Sequence, residues 1–348
     1  MTDHADAATR GRTRPAAVGR WLPPLLLIGV ILLSCGVGKY AVSPADLFSL
    51  LIAKMTGGTA NVDTAVETVV WQIRLPRVLA GVLVGAALAA SGAAYQGMFR
   101  NPLVSPDILG VSAGAGLGAA LGIFFSLPVA AIQALAFIGG LLAVGAVYLI
   151  GTAIRRHDPI LVLVLTGIAV GALLGAAISL IKVLADPYDQ LPAITYWLLG
   201  SLTGVTQGDI IGALPAVLIG LLPLYLLRWR MNLLSLSEDE ARALGVSTGR
   251  LRLLFIAAAT LITSATVAIA GIVGWVGLLI PHVARILVGP EFARLLPAAL
   301  MLGAGFLVAV DALARTAAAI EMPLGILTAV IGAPFFLWLL AAARRGWQ

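Results

Sequence analysis

Arg74 and Arg77 stand three residues apart in RLPRVLAG, directly ahead of an apolar run that lasts until Arg100. On the first turn of a helix, side chains at i and i+3 share a face. Two guanidiniums presented together suit bidentate recognition of carboxylates on another protein. Arg315 stands at the end of another apolar run. The same placement suits arginines that snorkel to lipid phosphates, and spacing alone does not choose between the two roles.

A second candidate is the polar stretch RWRMNLLSLSEDEARALGVSTGRLR, residues 228–252. Ser237 and Glu240 are spaced as a capping box, in which hydroxyl and carboxylate satisfy orphan amides at a helix start. Glu238, Asp239 and Glu240 suit the positive end of the helix dipole, and Gly245 is placed as the C-terminal stop. The helix so defined has about two turns and is too short to be stable alone. Flanked by basic residues, it fits a groove on a partner protein; a solvated loop packed on the chain's own helices also fits the capping signal.

Gly167, Gly171, Gly175 and Ser179 recur every fourth residue in TGIAVGALLGAAISLIK. They form one small-residue ridge, which serves close helix packing or a smooth wall for a bulky solute. The segment after it, DPYDQLPAITYWLLGS (186–201), is proline-broken and aromatic. It reads as an interfacial or re-entrant helix capping a pathway. FRNPLVSPDILG (99–110) carries two prolines and Asn101 and reads as an irregular turn, suited to a gate or to a plain connection.

Other chemistries lack their residues. There is no phosphate-binding G-x-x-x-x-G-K-[ST] loop. His4, His157 and His282 have no metal-ligand spacing, and Cys35 alone excludes an internal disulfide framework. Asp311 is the main acid inside an apolar run, and it lies one turn from Arg315. No chain of embedded ionisable residues, of the kind ion-coupled carriers use, is evident.

The elements that must position these residues are membrane spans. The chain is 60% hydrophobic and 11% charged over 348 residues, against about 25% charged in soluble domains, and its mean hydropathy is +1.04. Uncharged windows place about ten spans, within a range of eight to eleven, near 21–38, 78–99, 108–127, 129–154, 159–181, 210–227, 253–272, 273–288, 295–315 and 322–343. The third and fourth divide at Ser126-Leu127-Pro128, and GIVGWVG (271–277) marks a broken helix between the seventh and eighth. Residues 1–20, with Arg10, Arg12, Arg14 and Arg20, read as a cytoplasmic tail ahead of one transmembrane domain, 21–348. With the N-terminus inside, 16 of the 22 basic residues fall on the inner side, as the positive-inside rule expects. Arg74 and Arg77 are outside, against that trend. Inner loops rich in arginine account for the net charge of +6 without nucleic acid.

RLPRVLAGVLVGAALAASGAAYQGMFRNPLVSPDILGVSAGAG, SEDEARALGV, GWVGLLIPHVAR and EMPLGILTAVIGAPFFLWLL closely resemble the FecCD family, in this order and over nearly the whole chain from about residue 21. The resemblance implies an all-α permease with ten helices in a type II ABC importer fold, working in a bacterial inner membrane with both termini cytoplasmic. It implies a homodimer with the pathway on its two-fold axis, two cytoplasmic ATPase subunits and a periplasmic binding protein. ATP and Mg2+ would sit on the ATPase partner, with no cofactor on this chain and no covalent chemistry. By match to the family motifs, Arg74, Arg77 and Arg315 dock the binding protein. Ser237, Glu238, Asp239, Glu240, Ala241, Arg242, Leu244 and Gly245 couple to the ATPase. Gly167, Gly171, Gly175 and Ser179 line the pathway, and Asn101, Leu103, Thr166 and Trp197 belong to its gates. The cargo implied is a metal chelate, a ferric siderophore first, with haem, cobalamin and molybdate as rivals. A secondary transporter is the alternative class.

Overall fold

A computed structural model describes residues 13–154, 159–235, 238–245 and 247–343. Among these residues the chain is helical and has no strand. Six helices are long and apolar enough to cross a membrane, and four shorter apolar helices accompany them. Together they fall on the ten predicted spans.

The first is α1 (Thr13–Gly36), followed outside the apolar layer by α2 (Pro44–Thr56). Ser43 accepts from the Asp46 amide, Pro44 opens α2 and Gly57 closes it at φ +71. Next comes α3 (Thr64–Thr68), which runs through a π-helical turn, Val69–Arg74, into α4 (Leu75–Met98). The span expected at 78–99 therefore starts at Thr64, as one helix of 35 residues. Polar Glu67, Gln72 and Arg74 in its outer third end an uncharged window early, while Asp63 caps its true start through the Ala65 amide.

Two crossings organise the core, and both depend on glycine. A Cβ on Gly92 of α4 would lie 1.9 Å from the Gly277 carbonyl in α13 (Val276–Val288). One on Gly85 would lie 2.2 Å from the Gly303 carbonyl in α14 (Phe292–Thr316). Backbones in direct contact give the dispersion energy that lipid-facing leucines cannot add. With α12 (Thr248–Ala270), these helices form the inner layer: 78%, 72% and 72% of the apolar windows in 64–98, α12 and α14 are buried. α5 (Val111–Phe124) is also largely buried, and the outer layer holds α6 (Val129–Ala153), α7 (Pro159–Leu184), α9 (Gln207–Leu226) and α15 (Leu324–Ala343). Only 22% of the window in α7 is buried.

The two expected breaks are present. Between α5 and α6 the chain turns at Ser126, φ +52. Between α12 and α13 residues 271–274 leave the helix and Trp275 takes φ +71. The short α8 (Gln190–Leu198) follows α7, as the 186–201 segment predicted. On the inner side lie α10 (Arg228–Met231) and α11 (Glu238–Ala243).

Candidate functional site

The outer corner gathers Arg74, Arg77 and Arg315, but it does not present two guanidiniums side by side to solvent. All three side chains are buried. The π turn ends at Arg74, where α4 begins, and the two arginines of RLPR turn to different partners. Arg74 donates to the carbonyls of Cys35 at 2.6 Å, Gly36 at 2.8 Å and Tyr40. Arg315 donates to Ser34 Oγ at 2.7 Å and to the carbonyls of Ser34 and Val37 at 3.2 Å each. The carbonyls of Ser34, Cys35 and Gly36 are orphan acceptors at the C-terminal end of α1, whose last turn carries no basic residue of its own. Gly38 leaves the space that Arg74 enters, since a Cβ there would lie 2.7 Å from Nη2.

Arg77 turns the other way. Its Nε lies 2.8 Å from Asp311 Oδ1 and its Nη1 lies 2.8 Å from Glu321 Oε2. Asp311 also pairs through Oδ2 with Arg315 Nε at 3.1 Å, the intrahelical pair that its spacing predicts. Two guanidiniums thus meet two carboxylates while Arg74 meets carbonyls alone, and the corner keeps a positive excess. Lys39 adds a fourth cation and holds the Ala319 carbonyl at 2.7 Å.

Glu321 leads directly to the segment behind α8. Its Oε2 also accepts from Thr203 Oγ1 at 2.6 Å. The 199–201 turn is pinned on two sides: Leu324 and Gly325 amides donate to the Gly200 and Leu199 carbonyls, each at 2.9 Å, and the Ser201 amide donates to Ala270 at 2.8 Å. Gly200 and Gly271 adopt φ +72 and +67, and a Cβ on Gly271 would lie 2.3 Å from the Trp197 carbonyl. At its other end α8 is held by Gln190, which donates to the Phe124 carbonyl at 2.9 Å. Trp197, Tyr196 and Thr203 line an open cavity of about 390 Å3 beside this turn. Sequence reasoning named Trp197 but missed Thr203 and Glu321. The one available signal was an acid, Glu321, in an apolar stretch at the outer end of a span.

The small-residue ridge divides. Gly167 packs, because a Cβ there would lie 2.1 Å from the Ile108 carbonyl, whereas Gly171 and Gly175 meet nothing within 4 Å. Ser179 returns its hydroxyl to the Gly175 carbonyl at 2.9 Å. At the inner turn Arg100 takes φ +51. Asn101 Oδ1 accepts from the Leu103 amide at 2.9 Å, and the Leu103 side chain is exposed. Thr166, expected at the same gate, is buried.

On the inner side Ser237 lies outside the described residues. The helix that follows ends at Ala243, and Gly245 takes φ +75 as its stop. Ala241 is buried beneath it while Glu240 and Leu244 are exposed. A cleft of about 480 Å3 opens beside Leu244 and Gly245, with Arg230 and Arg250 on its walls. No cluster of metal-ligating side chains occurs among the described residues.

Long apolar helices crossing on glycine, with charge confined to the ends, define a polytopic membrane protein. The FecCD transport family matches residues 25–342, and the chain belongs to that family. It is 38% identical over 322 residues to the molybdate import system permease protein MolB of Haemophilus influenzae, covering 92% of this chain and 95% of that one. It is 45% identical over 281 residues to the cobalamin import system permease protein BtuC of Halobacterium salinarum, covering 80% and 75%. A solved inward-facing structure of a metal-chelate type ABC transporter matches with a TM-score of 0.83 at 37% identity, covering 92% of this chain and 98% of that one. Family membership makes the chain a permease, a transport subunit of an ABC importer.

Proposed function

We propose that the chain forms half of a homodimeric importer for a metal chelate, with a ferric siderophore as cargo. The observation that carries this reading is the open face of α7. Gly171 and Gly175 meet nothing within 4 Å, and the neighbouring side chains Ile168, Leu173 and Leu180 are exposed. A second copy covering the apolar part of that face would leave the glycines as a smooth, weakly binding wall, which suits release of a bulky solute. The relative named for cobalamin import and the metal-chelate type structure support cargo of this class, while the relative named for molybdate import makes that oxyanion the rival.

The remaining parts follow from position and charge. The outer corner of Arg74, Arg77 and Arg315 keeps a positive excess and receives acidic residues of a periplasmic binding protein. The 238–245 segment, with Glu238, Asp239, Glu240, Ala241, Arg242, Leu244 and Gly245, lies in the cleft of a cytoplasmic ATPase that holds ATP and Mg2+. This chain needs no cofactor. Both termini lie in the cytoplasm of a bacterial cell, which the arginine bias supports. ATP-driven closure of the partner moves that segment and switches the bundle between outward and inward openings, a rigid-body two-state change. Trp197 then belongs to the outer gate, and Asn101 and Leu103 to the inner one.

The test is parallel uptake of radio-iron siderophores, haem, cobalamin and molybdate in cells with and without the gene. Selective loss of a ferric siderophore is expected. Loss of molybdate alone, the cargo named for MolB, would replace the siderophore within the same transport class. Uptake sensitive to protonophore and indifferent to vanadate would overturn ATP drive.

A further inference from the structure

We propose that Thr203 and Glu321 are positioning residues that clasp the outer gate shut, and that an acidic group docking on Arg77 opens the clasp by taking the place of Glu321. The exchange rests on the docking reading above; the clasp itself does not.

One oxygen makes the clasp. Glu321 Oε2 accepts from Arg77 Nη1 at 2.8 Å and from Thr203 Oγ1 at 2.6 Å. Thr203 stands five residues past the end of α8, two beyond the 199–201 turn that Leu324, Gly325 and Ala270 pin, and its amide donates to Ser201 Oγ at 3.0 Å. Those backbone bonds join buried and half-buried residues, whereas the Thr203–Glu321 bond is exposed. At this end α8 is thus followed by an inner set of backbone bonds and by one side-chain bond open to solvent.

The two acids that meet Arg77 differ in the same way. Asp311 is sealed between Arg77 and Arg315, with 2% of its side chain exposed, while Glu321 exposes 29%. An incoming carboxylate reaches the Glu321 side of the guanidinium and cannot reach the Asp311 side. Asp311 therefore keeps Arg77 in place during an exchange. Three guanidiniums and Lys39 against two acids leave the corner attractive to a further negative charge. A carboxylate that displaces Glu321 frees the Thr203 hydroxyl in the same step, because both bonds end on one atom. Docking charge and gate position are then coupled through a single oxygen.

The experiment places a cysteine at Tyr196, which lines the outer cavity, in the full-length permease in lipid nanodiscs. Cys35 is buried and serves as an unreactive background. Labelling by a polar maleimide reads exposure of α8. Thr203→Val, which removes only the donor, is expected to raise the rate about tenfold, the effect of losing one hydrogen bond to a charged group. Thr203→Ser, which keeps the hydroxyl, is expected to restore the slow rate, as a purely steric role would not. Hexaglutamate is expected to accelerate labelling of wild type saturably and to add nothing to Thr203→Val. Equal rates for wild type and Thr203→Val, or an equal rise in Thr203→Ser, would overturn the clasp. A Thr203→Val effect with no hexaglutamate effect would overturn the exchange and leave the clasp standing. Failure of the importer reading would show instead in the uptake measurement, which neither labelling arm uses.

Discussion

Replacing Asp311 by alanine tests whether the outer corner is held by its buried charges. The acid is 2% exposed and pairs with two guanidiniums, Arg77 at 2.8 Å and Arg315 at 3.1 Å, whose side chains are 10% and 8% exposed. Removing one partner from a buried ion pair costs about 3–5 kcal/mol, because the remaining charge stays desolvated. Here two like charges would remain and repel. Each keeps other bonds, Arg77 to Glu321 and Arg315 to Ser34 and Val37, so the lower end applies. A loss of about 3 kcal/mol is expected, roughly a hundredfold in the folding equilibrium. Asp311→Asn retains an acceptor and should lose less. Glu291→Ala is the control, since its pair with Arg294 is solvent-exposed, 34% and 72%, and such pairs contribute about 0.5 kcal/mol. Reaction of Cys35, whose own carbonyl is tied to Arg74, reports unfolding of this corner during a detergent titration. If Asp311→Ala unfolds with the Glu291→Ala control, the corner is not held by charge and the burial argument fails.

Two further outcomes are expected. Gly92→Ala brings a methyl to within 1.9 Å of the Gly277 carbonyl. Neither side can yield by changing rotamer, so overpacking of about 1–3 kcal/mol exceeds the gain of up to ~1 kcal/mol in helix propensity. Gly171→Ala meets open space and should be neutral or stabilising, so thermal midpoints moving the same way in both variants would refute the packing account. For Glu321, burial pushes the carboxyl pKa up, but the Thr203 hydroxyl, the Arg77 hydrogen bond and charge and the Lys39 charge outweigh it and hold the acid below the ordinary glutamate range. A depressed folded pKa gives a contribution that is complete above about 4.3, the ordinary value, and fades as pH falls through the lower one. The stability advantage of wild type over Glu321→Gln should therefore stay level from pH 8 to pH 5 and shrink only in stronger acid. A decline already between pH 7 and pH 6 would contradict it.

The spans were legible because apolar length is a one-dimensional property that lipid enforces directly. The break at GIVGWVG and the turn at Ser126 were legible for the same reason: two helices do not fit one bilayer without them. α2 and the outer third of the 64–98 helix were not, because they lie beyond the apolar layer, where polarity hides helix from a hydropathy window. The cap at Ser43-Pro44 was there to be read. The arginines were found by type and spacing, yet their directions were not, since the groups they turn to, Cys35 for Arg74 and Asp311 for Arg77, are distant in sequence. Charge reversal at Arg74 would set a carboxylate against the carbonyls of Cys35, Gly36 and Tyr40, so that variant disturbs the subunit as well as any partner. The Thr203–Glu321 bond joins residues 118 apart in sequence, and no local pattern encodes it.

The end of α1 has a consequence for how the protein is made. Its last carbonyls wait for donors that come later from the ribosome: Arg74 lies 39 residues beyond Cys35, and Arg315 lies 281 residues beyond Ser34. At about 5–20 residues per second, the first donor follows within seconds, and the second follows only after roughly a quarter of a minute to a minute. During that interval the first span sits in the bilayer with part of its outer end answered by water or lipid headgroups. A chain truncated before Arg315 would insert its early spans and leave that end open, a defect that membrane quality-control proteases are equipped to find.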